Sequence, residues 1–240
     1  MSMPSTLESV EWGNPALQLL AQCNDLDPNK PAIMHIRHTE RPMTGLGNPD
    51  EFKQVSTELG KKAAYELGSS LPTNRNYRFY YTYMERTKET VQEINDGIAS
   101  NNGITQIMGS IPLTTVVNRA KYNEIISRDS ELGLNYLEIF SRWISGHYPP
   151  WMRVPALDFS QKAAAVVLEN LESADSSSFD VYVSHDVFIA AFLLHWFGIF
   201  PIDWVQFLDG FIFQLYEEKI VVYTKYGKKE VYYPYWWDFK

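Results

Sequence analysis

Three short runs of branched and aromatic residues each end in, or run on toward, a polar cluster with a helical stretch beyond it, and this alternation limits the folds open to the chain. The runs are Ala32-Ile33-Met34-His35-Ile36, Arg78-Phe79-Tyr80-Tyr81-Thr82 and Asp180-Val181-Tyr182-Val183. Their length and side chains predict buried strands. Behind them come Arg37-His38-Thr39-Glu40-Arg41-Pro42, then Glu85-Arg86, then Ser184-His185-Asp186. Helices are expected from Thr57, a capping residue, to near Gly68, from Glu85 to Asn95, from about Ser160 to Leu171, and over the very apolar Phe188 to Phe197. Thr105 to Met108 is a weaker strand. Strands alternating with helices predict an α/β fold: a three-layer sandwich whose mostly parallel sheet is covered by helices on both faces.

Two regions break the rhythm. Residues 1–30 read as a lead-in with one amphipathic stretch, Ala16 to Gln22. Residues from about 110 to 158 read as an insertion, a cap over a site, with one helix at Asn135 to Ser145 before His147-Tyr148-Pro149-Pro150-Trp151. The end of the chain is expected to be antiparallel, with strands at Phe211 to Tyr216, Ile220 to Lys225 and Glu230 to Tyr233. The aromatic tail from Tyr232 to Trp237 is expected to cover the sheet. The whole of 1–240 is expected to be one domain.

Composition removes several function classes. The 21 basic and 29 acidic residues give a formal charge of -8, which repels nucleic acid as a bulk partner. The single cysteine, Cys23, can neither close an internal disulfide nor begin a cysteine-based zinc site. With no basic start leading into an apolar stretch and no apolar run of about 18 residues, a cytoplasmic protein without membrane contact is expected.

In open α/β sheets, ligands bind beyond the carboxyl ends of the strands. That rule brings Arg37, His38 and Arg41 near Arg86 and near His185 and Asp186. Guanidiniums and imidazoles converging in this way make an anion site, and planar arginine forks suit phosphate oxygens. A neutral imidazole there can attack phosphorus, and Asp186 can protonate the leaving oxygen. Arg78 opens its strand and so stands at the wrong end of the sheet, which favours Arg86. His35 lies within its strand and reads as structural. It does not pair with His38 around a metal, because a three-residue spacing on a strand puts the two side chains on opposite faces.

These residues, in this order, resemble the histidine phosphatase superfamily, with its phosphoglycerate-mutase-like fold. The resemblance runs from about 32 to 216 through Arg37-His38-Thr39-Glu40, Thr57-x-x-Gly60, Arg86-x-x-x-Thr90 and Val183-Ser184-His185. It implies that His38 is the nucleophile that becomes phosphohistidine, that Arg37, Arg86 and His185 hold the phosphoryl group, and that no metal or other cofactor is used. The mutase branch draws its proton from a carboxylate after the third strand, where this chain has Gly109-Ser110-Ile111-Pro112-Leu113-Thr114. The acid-phosphatase branch uses an Asp directly after the second His and a further Arg three residues after the nucleophile. It therefore implies Asp186 as proton donor and Arg41 as a phosphate ligand. Thr39 stands where the family usually has Gly and is expected to crowd the nucleophile's backbone, while Pro42 directly after Arg41 is expected to re-aim that arginine.

The function expected is metal-independent hydrolysis of a small phosphomonoester through phosphohistidine, with an optimum on the acid side of neutral because Asp186 must begin protonated. A phosphoglycerate-type mutase and a catalytically silent phospholigand- or protein-binding module are the alternatives. Arg119, Lys121, Arg142 and Arg153 are candidates for a basic pocket in the inserted stretch. Neither the substrate nor the oligomeric state follows from the sequence.

Overall fold

All six residues of β1 (Ala32–Arg37) are buried, because helices cover both faces of the sheet at that point. Ala32, Met34 and Ile36 belong to one hydrophobic core, and Ile33 points into the other, where the His35 ring stacks on Tyr182 and Phe211. The computed structural model describes residues 5–43 and 48–237. Before β1 come α1 (Thr6–Ser9) and α2 (Asn14–Gln22); after it follow α3 (Glu58–Ser70), β2 (Asn76–Tyr81), α4 (Glu85–Ser100) and β3 (Ile104–Ser110). Next are α5 (Arg119–Glu131), α6 (Tyr136–Ile144), α7 (Ala156–Leu171), β4 (Ser178–Ser184) and α8 (Asp186–Phe197). The chain then runs through β5 (Gly210–Leu215), β6 (Lys219–Thr224) and β7 (Gly227–Tyr232).

The sheet order is β3-β2-β4-β1-β5-β6-β7. β1 to β4 are mutually parallel, and β5, β6 and β7 extend the sheet antiparallel from β1, as the end of the sequence predicts. One core joins the sheet to α1 through α4, and the other joins it to α5 through α8. This is the three-layer α/β arrangement expected. Among the described residues no helix is long and apolar enough to cross a membrane.

Two local features set the frame of the site. Gly210 lies so close to β1 that an added Cβ would collide with the His35 carbonyl oxygen, so a side chain there would force β5 away from β1. At the far end of the sheet, Arg78 grips the buried Asp180 with two nitrogens, at 2.6 and 2.7 Å. It holds β2 to β4 and leaves Arg86 as the arginine of this region at the carboxyl ends.

The inserted stretch contains α5 as well as the expected α6. Of the residues in α5 only Ile126 and Asp129 are buried, so its sequence carries little apolar periodicity. The lead-in is also part of the core, with Leu7, Ala16 and Leu19 buried. In the aromatic tail, Trp237 packs edge-on against Trp196 at 5.2 Å, while Tyr232 and Tyr235 remain exposed.

Candidate active site

The order β2-β4-β1 places three strand ends side by side, with Arg37 opposite Ser184 and Tyr81 opposite Val183 in register. His38 continues from β1, and its peptide N–H donates to the Ser184 carbonyl at 2.9 Å. His185 continues from β4, and Arg86 lies in the first turn of α4, just beyond β2. Residues far apart in sequence thus converge on one cleft, lined by Arg37, His38, Arg41, Arg86, His185 and Asp186.

His38 is 2% exposed. Its Nδ1 lies 2.7 Å from the Thr39 carbonyl, an oxygen that can only accept, so Nδ1 carries the proton. The Nε2 lone pair then accepts from Arg86 Nε at 3.0 Å. Thr39 does not crowd this arrangement. Its peptide N–H donates to Thr90 Oγ1 at 3.0 Å, and its hydroxyl donates to the Gly60 carbonyl at 2.7 Å. Thr90 in turn donates to the Arg86 carbonyl at 2.7 Å, which links the α4 turn to the backbone directly after His38. Thr57 caps α3 by accepting from the Gly60 N–H at 2.9 Å, and a Cβ at Gly60 would stand 2.7 Å from the Glu40 carbonyl oxygen. The Thr57-x-x-Gly60 and Arg86-x-x-x-Thr90 motifs are therefore two braces on one loop.

The arginines are aimed by contacts the sequence does not display. Arg37 donates to the Val205 carbonyl at 2.6 Å, lies over the Phe207 ring at 4.3 Å, and pairs with Asp186 at 3.2 Å. Arg41 lines the cleft despite Pro42; it reaches Gln54 Oε1 at 2.5 Å and Glu51 Oε1 at 2.7 Å. Arg86 donates a second bond, at 2.8 Å, to the Glu51 carbonyl. His185 Nε2 shares a hydrogen bond with Thr82 Oγ1 at 2.9 Å, and its ring sits 5.6 Å from that of His38. Asp186 accepts from the Trp204 indole at 3.0 Å and from the Val187 N–H at 2.8 Å.

Burial, with Arg86 and Arg37 close by, holds both His38 and His185 well below the ordinary imidazole pKa, so both rings are neutral. Burial and the neighbouring Arg41 push Arg86 down to about 10, which leaves it charged. The two carboxylates diverge. Burial pushes Asp186 up, but Arg37, Trp204 and the Val187 amide outweigh it and hold the group below its usual range. Burial raises Glu51, with Arg41 opposing and Asp186 adding to the rise. The ensemble is a neutral imidazole among three guanidiniums, electrostatics that suit a phosphoryl dianion. Among the described residues no three His, Cys, Asp or Glu side chains gather as a metal site would require.

All six residues singled out from the sequence line this cleft. Those it missed are Glu51 in a 3-10 turn (Pro49–Lys53), Thr82 behind His185, and Trp204, Val205 and Phe207 in the segment joining α8 to β5. The only sequence signal for Glu51 was Asn48-Pro49, a turn opener whose Asn side chain caps the turn.

Neither a protein-family model nor a curated protein matches the sequence. Solved structures do. The product of the open reading frame Rv3214 from Mycobacterium tuberculosis aligns at 15% identity with a TM-score of 0.50, covering 85% of this chain and 96% of that one. A protein described as mycobacterial hydrolase 1 aligns at 14% identity and a TM-score of 0.52, over 76% and 90% of the two chains. A mycobacterial glucosyl-3-phosphoglycerate phosphatase in complex with VO3 aligns at 12% identity and a TM-score of 0.50, again over 76% and 90%. With its β2-β4-β1 core and its cleft at the strand ends, the chain has a phosphoglycerate-mutase-like α/β fold, shared with these structures.

Proposed function

We propose that this protein is a phosphomonoesterase that works through a phosphohistidine on His38. The observation that carries the reading is the His38 ring: neutral, with its proton held on Nδ1 by the Thr39 carbonyl and its Nε2 lone pair facing the arginine-lined cleft. In the first half-reaction Nε2 attacks phosphorus, the bond to the leaving oxygen breaks, and that oxygen takes a proton from Asp186. Arg37, Arg41, Arg86 and His185 hold the equatorial oxygens as charge builds on them. In the second, Asp186 takes a proton from water, the water oxygen attacks phosphorus, and phosphate departs to restore His38.

Asp186 begins ionised beside Arg37. A bound phosphoryl group would take over Arg37 and place negative charge next to the carboxylate, both of which raise its proton affinity. The proton arrives with the substrate monoanion and passes to Asp186 in the complex. Residues 111–155 act in this reading as a cap, since Tyr122, Tyr136 and Phe140 wall the same cleft. Hydrolysis of 4-nitrophenyl phosphate that is lost in His38→Ala supports the proposal; equal turnover in both proteins overturns it.

A further inference from the structure

Arg153 lines the cleft together with His38 and Asp186, yet no step above uses it. It is 1% exposed. Its guanidinium lies 3.9 Å over the Trp143 ring and 5.6 Å from the Tyr122 ring, and its Nε and Nη2 have no hydrogen-bond partner. Other buried arginines are compensated: Arg78 by Asp180, Arg37 by Asp186 and the Val205 carbonyl, and Arg75 by carbonyls of Lys30, Asp27 and Ser176. Among the described residues no carboxylate pairs with Arg153, and a buried cation left in that state is strongly unfavourable. The two aromatic faces offset only part of that cost.

The other basic residues of the inserted stretch are already engaged. Arg142 pairs with Asp129 at 2.9 Å, Lys121 pairs with Glu124 at 2.7 Å on the surface, and Arg119 stacks on Phe52 at 4.0 Å. Arg153 is also fixed in position, since its N–H donates to the Pro149 carbonyl at 3.2 Å and its backbone bridges Val116. The wall around it is apolar and aromatic, with Tyr122, Tyr136, Ile139, Phe140 and Phe188 facing the cleft.

Building on the phosphomonoesterase reading, we infer that the substrate's leaving group is a flat, apolar body carrying a second anionic group, of the carboxylate type, which Arg153 receives. The aromatic wall holds the body. The guanidinium fork takes the two oxygens of the anion, with its charge strengthened by the lack of competing water.

Binding separates this inference from the reading it rests on. Calorimetry would compare benzylphosphonate with its 3- and 4-carboxy derivatives, on wild type, Arg153→Met and Arg153→Lys, beside hydrolysis of phenyl phosphate and carboxyphenyl phosphates. Wild type is expected to bind one carboxylated phosphonate about tenfold or more tighter than the parent. Arg153→Met is expected to lose that preference while binding benzylphosphonate within about twofold of wild type, and Arg153→Lys to keep part of it. Equal binding of all the phosphonates by wild type, or an equal loss for all of them in Arg153→Met, overturns the assignment. Should Arg153→Met not fold, the wild-type preference and Arg153→Lys decide. A carboxylate preference without hydrolysis of any ester overturns the esterase reading and leaves the subsite standing; hydrolysis without the preference does the reverse.

Discussion

Arg86 donates its Nε–H to Nε2 of His38 across 3.0 Å, so the nitrogen that would attack phosphorus is covered by the cation that would hold the phosphoryl group. The contact selects the tautomer and lowers the basicity of the ring, and an arriving phosphoryl group competes for the same guanidinium.

Arg86→Ala removes both effects. The expected loss in kcat/KM is about 10²–10³, in the range seen when one stabilising donor is deleted. With the nearby positive charge gone, the His38 pKa rises toward its ordinary value, and a new acid limb should appear in the pH profile. A rate loss with an unchanged acid limb would mean that Arg86 does not govern the ring.

The pH profile of the wild type follows from the same charges. His38 is neutral even in mild acid, because burial and the nearby Arg86 and Arg37 depress its pKa, and Asp186 is ionised in the free site because Arg37 and its hydrogen bonds outweigh burial. The proton for the leaving group must then enter with the substrate, whose phosphoryl group has a second pKa of about 6. Accordingly, kcat/KM for 4-nitrophenyl phosphate is expected to fall about tenfold per pH unit above about 6. The sequence alone predicts an acid optimum from a protonated Asp186; the ion pair with Arg37 moves the source of that proton. A profile that rises toward alkaline pH would contradict this account.

Glu51 stands where a phosphoryl oxygen would bind, with its carboxylate on Arg41 and its carbonyl on Arg86. Its raised pKa means that it loses its charge, and its repulsion of a phosphate, as pH falls through that value. Glu51→Gln removes the repulsion at every pH. Inorganic phosphate should inhibit this variant about tenfold more tightly than wild type near neutrality, with the difference shrinking in acid. Equal inhibition constants across the pH range would show that Glu51 does not compete for Arg41.

Much of this arrangement is legible in the amino-acid sequence. Ala32–Arg37 and Ser178–Ser184 are buried on both faces, so their apolar runs are dense, and the polar residues directly after them stand out. Adjacency of β2, β4 and β1 then makes the convergence of Arg37, Arg86 and His185 a matter of topology. Trp204, Val205 and Phe207 are less legible, because the segment carrying them is positioned by tertiary contacts such as Trp204 with Asp186. Arg153 is a related case. As a sequence position it ranks with Arg119, Lys121 and Arg142, and only burial between Trp143 and Tyr122 sets it apart.

His35 provides a test of the core. It stacks on Tyr182 at 4.5 Å, both its ring nitrogens lack partners, and burial pushes its pKa down to about 3. The folded value lies below the unfolded value of 6.5, so the unfolded chain binds the proton first as pH drops. The resulting stability is whole above pH 6.5 and falls by about 1.4 kcal/mol per unit as pH drops below it toward the folded value. His35→Phe removes this term. Its thermal midpoint should pull ahead of wild type progressively between pH 6.5 and 4.5, whereas a pH-independent gap would contradict the assignment of a neutral buried imidazole.

The most direct test of the central claim is to trap the covalent intermediate. Wild type and His38→Ala would be mixed with an aryl phosphate labelled with 32P, quenched in alkali within milliseconds, and the protein-bound label counted and then exposed to acid. The account predicts label on wild type that is stable to alkali and released by acid, as expected of a phosphoramidate, and none on His38→Ala. Steady turnover by wild type with no trapped label, or equal label on both proteins, would contradict it.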